Sequence, residues 1–285
     1  MAEVKIIECP RDAMQGLHDF IPTEIKTSYI NQLLKCGFDT LDFGSFVSPK
    51  AIPQMRDTAD VLSRLELNSS TKLLAIIANE RGAEDACNFE EIDYLGYPFS
   101  ISETFQQRNT NASIAESFQR VEAIQSLALK SKKKLVVYLS MGFGNPYGEE
   151  WNADIVLKWS NQLYNELGID ILALSDTIGS ATLEDVAYIY KNIIPELANV
   201  EFGAHLHTRP DNAKELVRVA FENGCRRFDG AIKGFGGCPM ATDDLTGNMP
   251  TELMLEWMTV KGIDHGVKMD EFEKVFIQAR NVFPA

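Results

Sequence analysis

From residue 4 to residue 260 the chain alternates short apolar runs with stretches of helical spacing, and that rhythm leaves few folds open. Strand-type runs fall at 4–7, 40–43, 72–78, 91–95, 135–140, 171–174, 200–207 and 227–231. Helical spacing fills the gaps at 23–36, 54–65, 83–87, 114–129, 154–167, 183–194, 213–223 and 251–260, and once more at 270–281. Glycines at 37, 168 and 224 stand where helix ends need a left-handed residue. Strands separated by helices pair in parallel through crossovers. Eight such units over 285 residues predict an α/β fold of the (β/α)8 TIM-barrel type, with an extra C-terminal helix. A doubly wound open sheet would carry a glycine-rich turn after its first strand, and Glu8-Cys9-Pro10-Arg11-Asp12 is not one. No internal repeat or linker interrupts the pattern, so residues 1–285 are expected to form one catalytic domain.

A barrel of this kind makes a test possible, because its site lies at the C-terminal ends of the strands. Unusual polar residues collect there. Arg11 and Asp12 follow the first strand, and Asp42 and Ser45 belong to the second. Asn79 ends the third, Asp176 the sixth, and His205 and His207 the seventh. The eighth leads into Lys233-Gly234-Phe235-Gly236-Gly237-Cys238-Pro239. That distribution argues for a site.

Two of the four histidines stand at i and i+2 on the seventh strand, so both rings point to one side. Two neighbouring imidazoles and a carboxylate form a donor set for Mg²⁺, Mn²⁺, Fe²⁺ or Zn²⁺. The alternative is that one ring fills a barrel layer while the other bonds a loop. Asp12 is the best partner carboxylate, with a surface ion pair to Arg11 as the competing reading. Asp176 is a rival, or else a turn or cap residue. Cys238 lies in a glycine-rich loop, where a thiol is exposed more often than in a core, yet an inert thiol fits equally well. Asn248, in Thr246-Gly247-Asn248-Met249-Pro250, reads as a turn or as a hard oxygen ligand. Lys50 and Asn79 are candidate cofactor-binding residues, with an exposed lysine and a turn asparagine as the commoner explanations.

Charge excludes some classes. With 27 basic and 41 acidic residues the net charge is −14, and the one basic run, Lys130-Ser131-Lys132-Lys133-Lys134, reads as a solvated helix end. No nucleic-acid partner is expected. The five cysteines show no zinc-ribbon or redox spacing, which suggests a reducing, cytoplasmic setting. No apolar stretch approaches the ~20 residues of a membrane span, so no membrane partner is expected.

At this point several ordered blocks resemble one family. Pro10-Arg11-Asp12-Ala13-Met14-Gln15 is similar to the opening motif of the 3-hydroxy-3-methylglutaryl-CoA lyases, within the DRE-TIM metallolyase group. Ser45-Phe46-Val47-Ser48-Pro49-Lys50, Pro53-Gln54-Met55, Ser175-Asp176-Thr177-Ile178-Gly179, His205-Leu206-His207 and Gly236-Gly237-Cys238-Pro239 follow in family order. The resemblance implies a carbon–carbon lyase that cleaves 3-hydroxy-3-methylglutaryl-CoA to acetyl-CoA and acetoacetate, a step of leucine catabolism. The alternative is a related aldol lyase or Claisen-type synthase acting on another acyl-CoA or 2-oxo acid. It implies Mg²⁺ or Mn²⁺ on Asp12, His205, His207 and Asn248. Arg11 matches the arginine that stabilises the enolate, and Cys238 the cysteine that exchanges a proton with the acetyl-CoA carbon. Asp42 falls where a glutamate is usual, and Asp176 matches a site aspartate. His205 would help accept the substrate hydroxyl proton. An acyl-CoA partner and a homodimer are further implications.

Overall fold

The computed structural model describes residues 3–68, 70–237 and 246–283. Eight strands run β1 (Lys5–Glu8), β2 (Thr40–Ser45), β3 (Lys72–Ile76), β4 (Tyr94–Ser100), β5 (Lys134–Ser140), β6 (Ile171–Asp176), β7 (Glu201–Thr208) and β8 (Arg227–Gly230). Each is parallel to the next, and β8 pairs back onto β1 in the register Lys5↔Arg227, so the sheet closes on itself. The strands are buried on both faces, which is why they read as near-continuous apolar runs.

The helices are α1 (Pro10–Gln15), α2 (Thr23–Lys35), α3 (Thr58–Leu62), α4 (Glu80–Cys87), α5 (Glu103–Thr110), α6 (Ile114–Lys130), α7 (Ala153–Asn165), α8 (Leu183–Ile193), α9 (Ala213–Glu222), α10 (Thr251–Lys261) and α11 (Met269–Gln278). Side chains set several starts. Ser113 and Glu116 form a capping box on α6, and Thr182 and Asp185 another on α8. The main core lies between the barrel and this helical shell. A smaller cluster of Leu74, Ile76, Val136, Tyr138, Ile171 and Ala173 fills the barrel itself. The final helix, α11, is the extra one, with Phe272 edge-on to Phe38 at 6.2 Å between ring centres.

The fold class is as expected, with local differences. The fourth strand begins later than 91–95, at Tyr94, and it also ends later, because Gly96 and Pro98 read as breakers. Pro98 lies beyond the last β3–β4 pair, Ile76↔Gly96, so it withdraws no donor from that ladder. The helix read at 54–65 is a 3-10 turn (Pro53–Met55) and then α3. Both α1 and α5 read as loops in the sequence, since each is too short to show a full apolar stripe. A two-residue strand, β9 (Gly247–Asn248), pairs antiparallel with β7 where a turn was the simpler reading.

Candidate active site

The site is assembled by the first turn after β1. Pro10 starts α1 immediately beyond the strand, with its ring-fixed φ suited to the first helical position. That short helix returns Arg11 and Asp12, both buried, to the barrel mouth. Arg11 donates from Nη1 to Asp12 Oδ1 at 2.8 Å and from Nε to Asp42 Oδ1 at 3.1 Å, with Nη2 closing a second bond to Asp42. Burial works against the guanidinium charge, but Asp42 and Asp12 outweigh it and hold the proton more firmly. Burial opposes the Asp12 charge too, yet Arg11 and both histidines draw its pKa below the usual range. Burial lifts Asp42 to about 6 against the pull of Arg11.

On β7 the period of two operates as expected. Leu206 joins the core, while His205 and His207 share the other side with ring centres 5.5 Å apart. His205 Nδ1 bonds Asp229 Oδ2 at 3.1 Å, which leaves Nε2 facing Asp12 Oδ2 at 4.0 Å. Burial lowers the basicity of His205, but Asp229 and Asp12 raise it further than burial lowers it. His207 is pushed down to about 4 by burial, then by neighbouring His205, so its ring is neutral near pH 7.

One donor atom each from Asp12, His205 and His207 lies within 4.8 Å of the others. A carboxylate with two imidazoles is a chemically suitable set for a divalent cation. The carboxylate behind His205 fixes the ring as outer-sphere partners of metal-bound histidines do. Cys9, His205 and Asp229 also cluster, but there the imidazole atom is already bonded to Asp229. Arg11, Asp12, His205 and His207 line a cavity of about 300 Å³, with apolar surface from Ile76, Pro98 and Phe105. That is the lower end of the range for small-molecule sites.

The remaining expected residues divide. Asn248 reaches the site, since β9 sets it opposite His207. Its Nδ2 donates to Asp12 Oδ2 and to the Phe235 carbonyl, both at 2.8 Å. In this orientation it buttresses the carboxylate. Ligation through its oxygen requires the amide turned over. Asp42 stands behind Arg11 and outside the cavity lining. Asp176 is also outside it. Its oxygens accept from the amides of Ser180 and Ala181, both at 3.0 Å, so it organises the loop after β6. Burial raises its pKa to about 6. Asn79 caps α4 by accepting from the Gly82 amide at 2.9 Å, which occupies its oxygen. Lys50 is exposed in the loop after β2. Cys238 lies outside the described residues. Two residues before it, Gly236 has φ +92°, and a Cβ there would stand 2.6 Å from the Asp12 carbonyl and 2.7 Å from Asn248 Nδ2, so only glycine fits.

Sequence reasoning missed Asp229 and Gln15. Asp229 sits near the end of β8, and the rule that gathered the other polar strand-end residues applied to it equally. Gln15 lies one helical turn beyond Asp12 and lines the same cavity.

A closed eight-stranded barrel with a carboxylate, two imidazoles and an arginine converging at its C-terminal mouth defines an enzyme-type site. The HMGL-like family model matches residues 3–276, and the chain belongs to that family. Hydroxymethylglutaryl-CoA lyase YngG of Bacillus subtilis is 34% identical over 255 residues, covering 88% of this chain and 84% of the relative. A crystal structure of the Bacillus subtilis HMG-CoA lyase superposes with TM-score 0.92 at 30% identity, over 100% of this chain and 96% of the other. An HMG-CoA lyase from Acinetobacter baumannii, solved with coenzyme A and 3-methylmalate, gives TM-score 0.90 at 29% identity, over 98% and 90%.

Proposed function

We propose that this chain is a carbon–carbon lyase that cleaves 3-hydroxy-3-methylglutaryl-CoA to acetyl-CoA and acetoacetate. The observation that carries the reading is the convergence of Arg11, Asp12, His205 and His207 on one cavity in a member of this family. The relatives' names, and the coenzyme A complex of one of them, support an acyl-CoA substrate.

Asp12, His205 and His207 would hold Mg²⁺ or Mn²⁺, with the Asn248 amide as a further ligand if it turns over. Such an ion, when bound, lowers the pKa of a coordinated oxygen and orients the substrate. The protein's own residues do the rest. Arg11, locked between Asp12 and Asp42, presents a fixed positive charge to the cavity. It faces the enolate oxygen that develops as the carbon–carbon bond breaks, where a preorganised donor is typically worth ~2.7–4 kcal/mol. Cys238 gives a proton to the enolate carbon and acts as a thiol acid. His205 has one nitrogen free of Asp229, and ligation and proton acceptance compete for that single lone pair. We assign it to ligation; the substrate hydroxyl proton then passes to solvent water as the carbon–carbon bond breaks, and water reprotonates the Cys238 thiolate. Asp229 fixes its tautomer, Asp42 sets Arg11, and Asp176 sets the loop carrying Thr177 into the cavity.

The same reading takes the protein as a cytoplasmic homodimer, with Lys50 at the mouth as the remaining candidate for a coenzyme A contact. No helix among the described residues is long and apolar enough to cross a membrane. Metal-stripped protein given 3-hydroxy-3-methylglutaryl-CoA should release acetyl-CoA only on addition of Mg²⁺ or Mn²⁺. Absence of product with either ion rejects the reading.

A further inference from the structure

Glu8 is the last residue of β1, 1% exposed, and takes no part in the chemistry above. Its Oε1 accepts from the Ile232 amide at 2.9 Å, and its Oε2 bonds the Thr251 hydroxyl at 2.6 Å. Ile232 opens the segment that follows β8, and Thr251 is the first residue of α10, where that segment ends. One side chain therefore spans both ends of the stretch. Backbone bonds run beside it, from the Ala231 amide to the Met249 carbonyl at 2.9 Å and from the Thr251 amide to the Ala231 carbonyl at 3.2 Å. Beyond this base, Gly236 and Asn248 press against Asp12.

We propose that Glu8 is a positioning residue that clamps the two ends of the 232–251 segment together and so fixes how Gly236 and Asn248 meet Asp12. The clamp works as a neutral acid. No lysine, arginine or histidine pairs with Glu8 among the described residues, and the titratable groups facing it are Glu252 of α10 and Tyr29 and Cys36 of α2. Lys233 acts on Glu252 and not on Glu8, and its backbone amide donates to Glu252 Oε2 at 2.9 Å. Burial first, against the two hydrogen bonds, lifts the Glu8 pKa to about 8. As a neutral acid it accepts from the Ile232 amide and the Thr251 hydroxyl with no charge to bury. Above that pH a buried carboxylate is left with no cation to pair with, and the base of the segment loosens. The inference is independent of which acyl-CoA is cleaved.

Amide hydrogen exchange read by mass spectrometry tests it, on wild type, Glu8→Gln and Glu8→Ala, with rates corrected for intrinsic pH dependence. In wild type, peptides covering 227–237 and 246–255 should lose at least about tenfold in protection between about pH 6 and about pH 9.5, while β5 stays protected. Glu8→Gln, which keeps one acceptor and one donor without a charge, should stay protected at both pH values. Glu8→Ala should be open at both. A wild-type pH response retained in Glu8→Gln overturns the proposal, as does full protection in Glu8→Ala. If Glu8→Ala does not fold, the wild-type and Gln comparison decides alone. Absence of turnover in the wild type with these exchange patterns intact would count against the lyase reading and leave the clamp standing.

Discussion

At the N-terminal end of the barrel, Lys5 and Arg227 both reach Glu201, Lys134 pairs with Asp170 at 2.7 Å, and Lys72 with Asp93 at 3.5 Å. Lys5, Lys72, Lys134, Glu201 and Arg227 each begin a strand. At the opposite end, Arg11, Asp12, Asp42, His205, His207 and Asp229 form a second set of charged and titratable groups. The first set ties the strand starts together, with Lys5 of β1 reaching past β8 to Glu201 of β7, and apart from buried Arg227 it is part-exposed. Such pairs are screened and contribute little. The second set is buried and drawn from α1, β2, β7 and β8, and three of its members aim single donor atoms at one point. The lesson is that similar residue types latch a barrel at one end and serve chemistry at the other, and that burial with convergence separates the two uses.

The contrast can be broken from the top. His207→Ala and Asp12→Asn each remove a donor from the convergent set, and either should abolish detectable acyl-CoA cleavage and metal binding by calorimetry while the protein stays folded. Retained activity in both would reduce the cluster to a structural pairing. Cys238→Ser should bind metal normally yet lose on the order of 10²–10⁴ in kcat, as removal of a proton-transfer group typically does. A near-normal kcat would take Cys238 out of the mechanism. Asp229→Asn leaves the three convergent donors in place but releases His205, and metal affinity should fall about 10–100-fold. An unchanged dissociation constant would show that His205 needs no partner.

Two smaller effects concern stability. Glu8 carries a pKa raised from 4.5 to about 8, so the folded protein binds its proton more tightly than the unfolded chain does. Its contribution is therefore favourable below pH 4.5 and declines as pH rises from there to about 8, the reverse of a salt-bridged carboxylate. Glu8→Gln should flatten the fall in unfolding free energy, read from urea titrations, across that window, by no more than about 1.4 kcal/mol per pH unit. Identical slopes would mean that Glu8 is ionised in the folded state. At the far end, Lys134→Ala should cost less than about 1 kcal/mol and leave turnover unchanged. A large loss of activity there would erase the distinction between the ends.

Much of this was legible in the sequence because barrel geometry is periodic. Alternation of strand and helix specified the fold, and the i, i+2 spacing of His205 and His207 put both rings on one side, as found. The site carboxylate Asp12 was legible as a strand-end residue. Its bond to Asn248 was not, since that contact joins positions 236 residues apart through a two-residue strand with no pattern of its own. Asp176 and Asn79 show the converse. A polar residue at a strand end is also well placed to accept backbone amides of the following turn, and both do so. Pro98 hid the extent of β4, because the rule against proline in strands does not register that the neighbouring strand has already ended.

The central claim is that Asp12, His205 and His207 meet on one divalent ion in a site that cleaves an acyl-CoA. It is tested most directly by titrating Mn²⁺ into metal-stripped protein with 3-hydroxy-3-methylglutaryl-CoA and measuring acetyl-CoA and acetoacetate together. The account predicts no turnover without metal, saturable recovery at one ion per chain, and the two products in equal amounts. Turnover that is indifferent to metal, or none at any Mn²⁺ concentration, would contradict it.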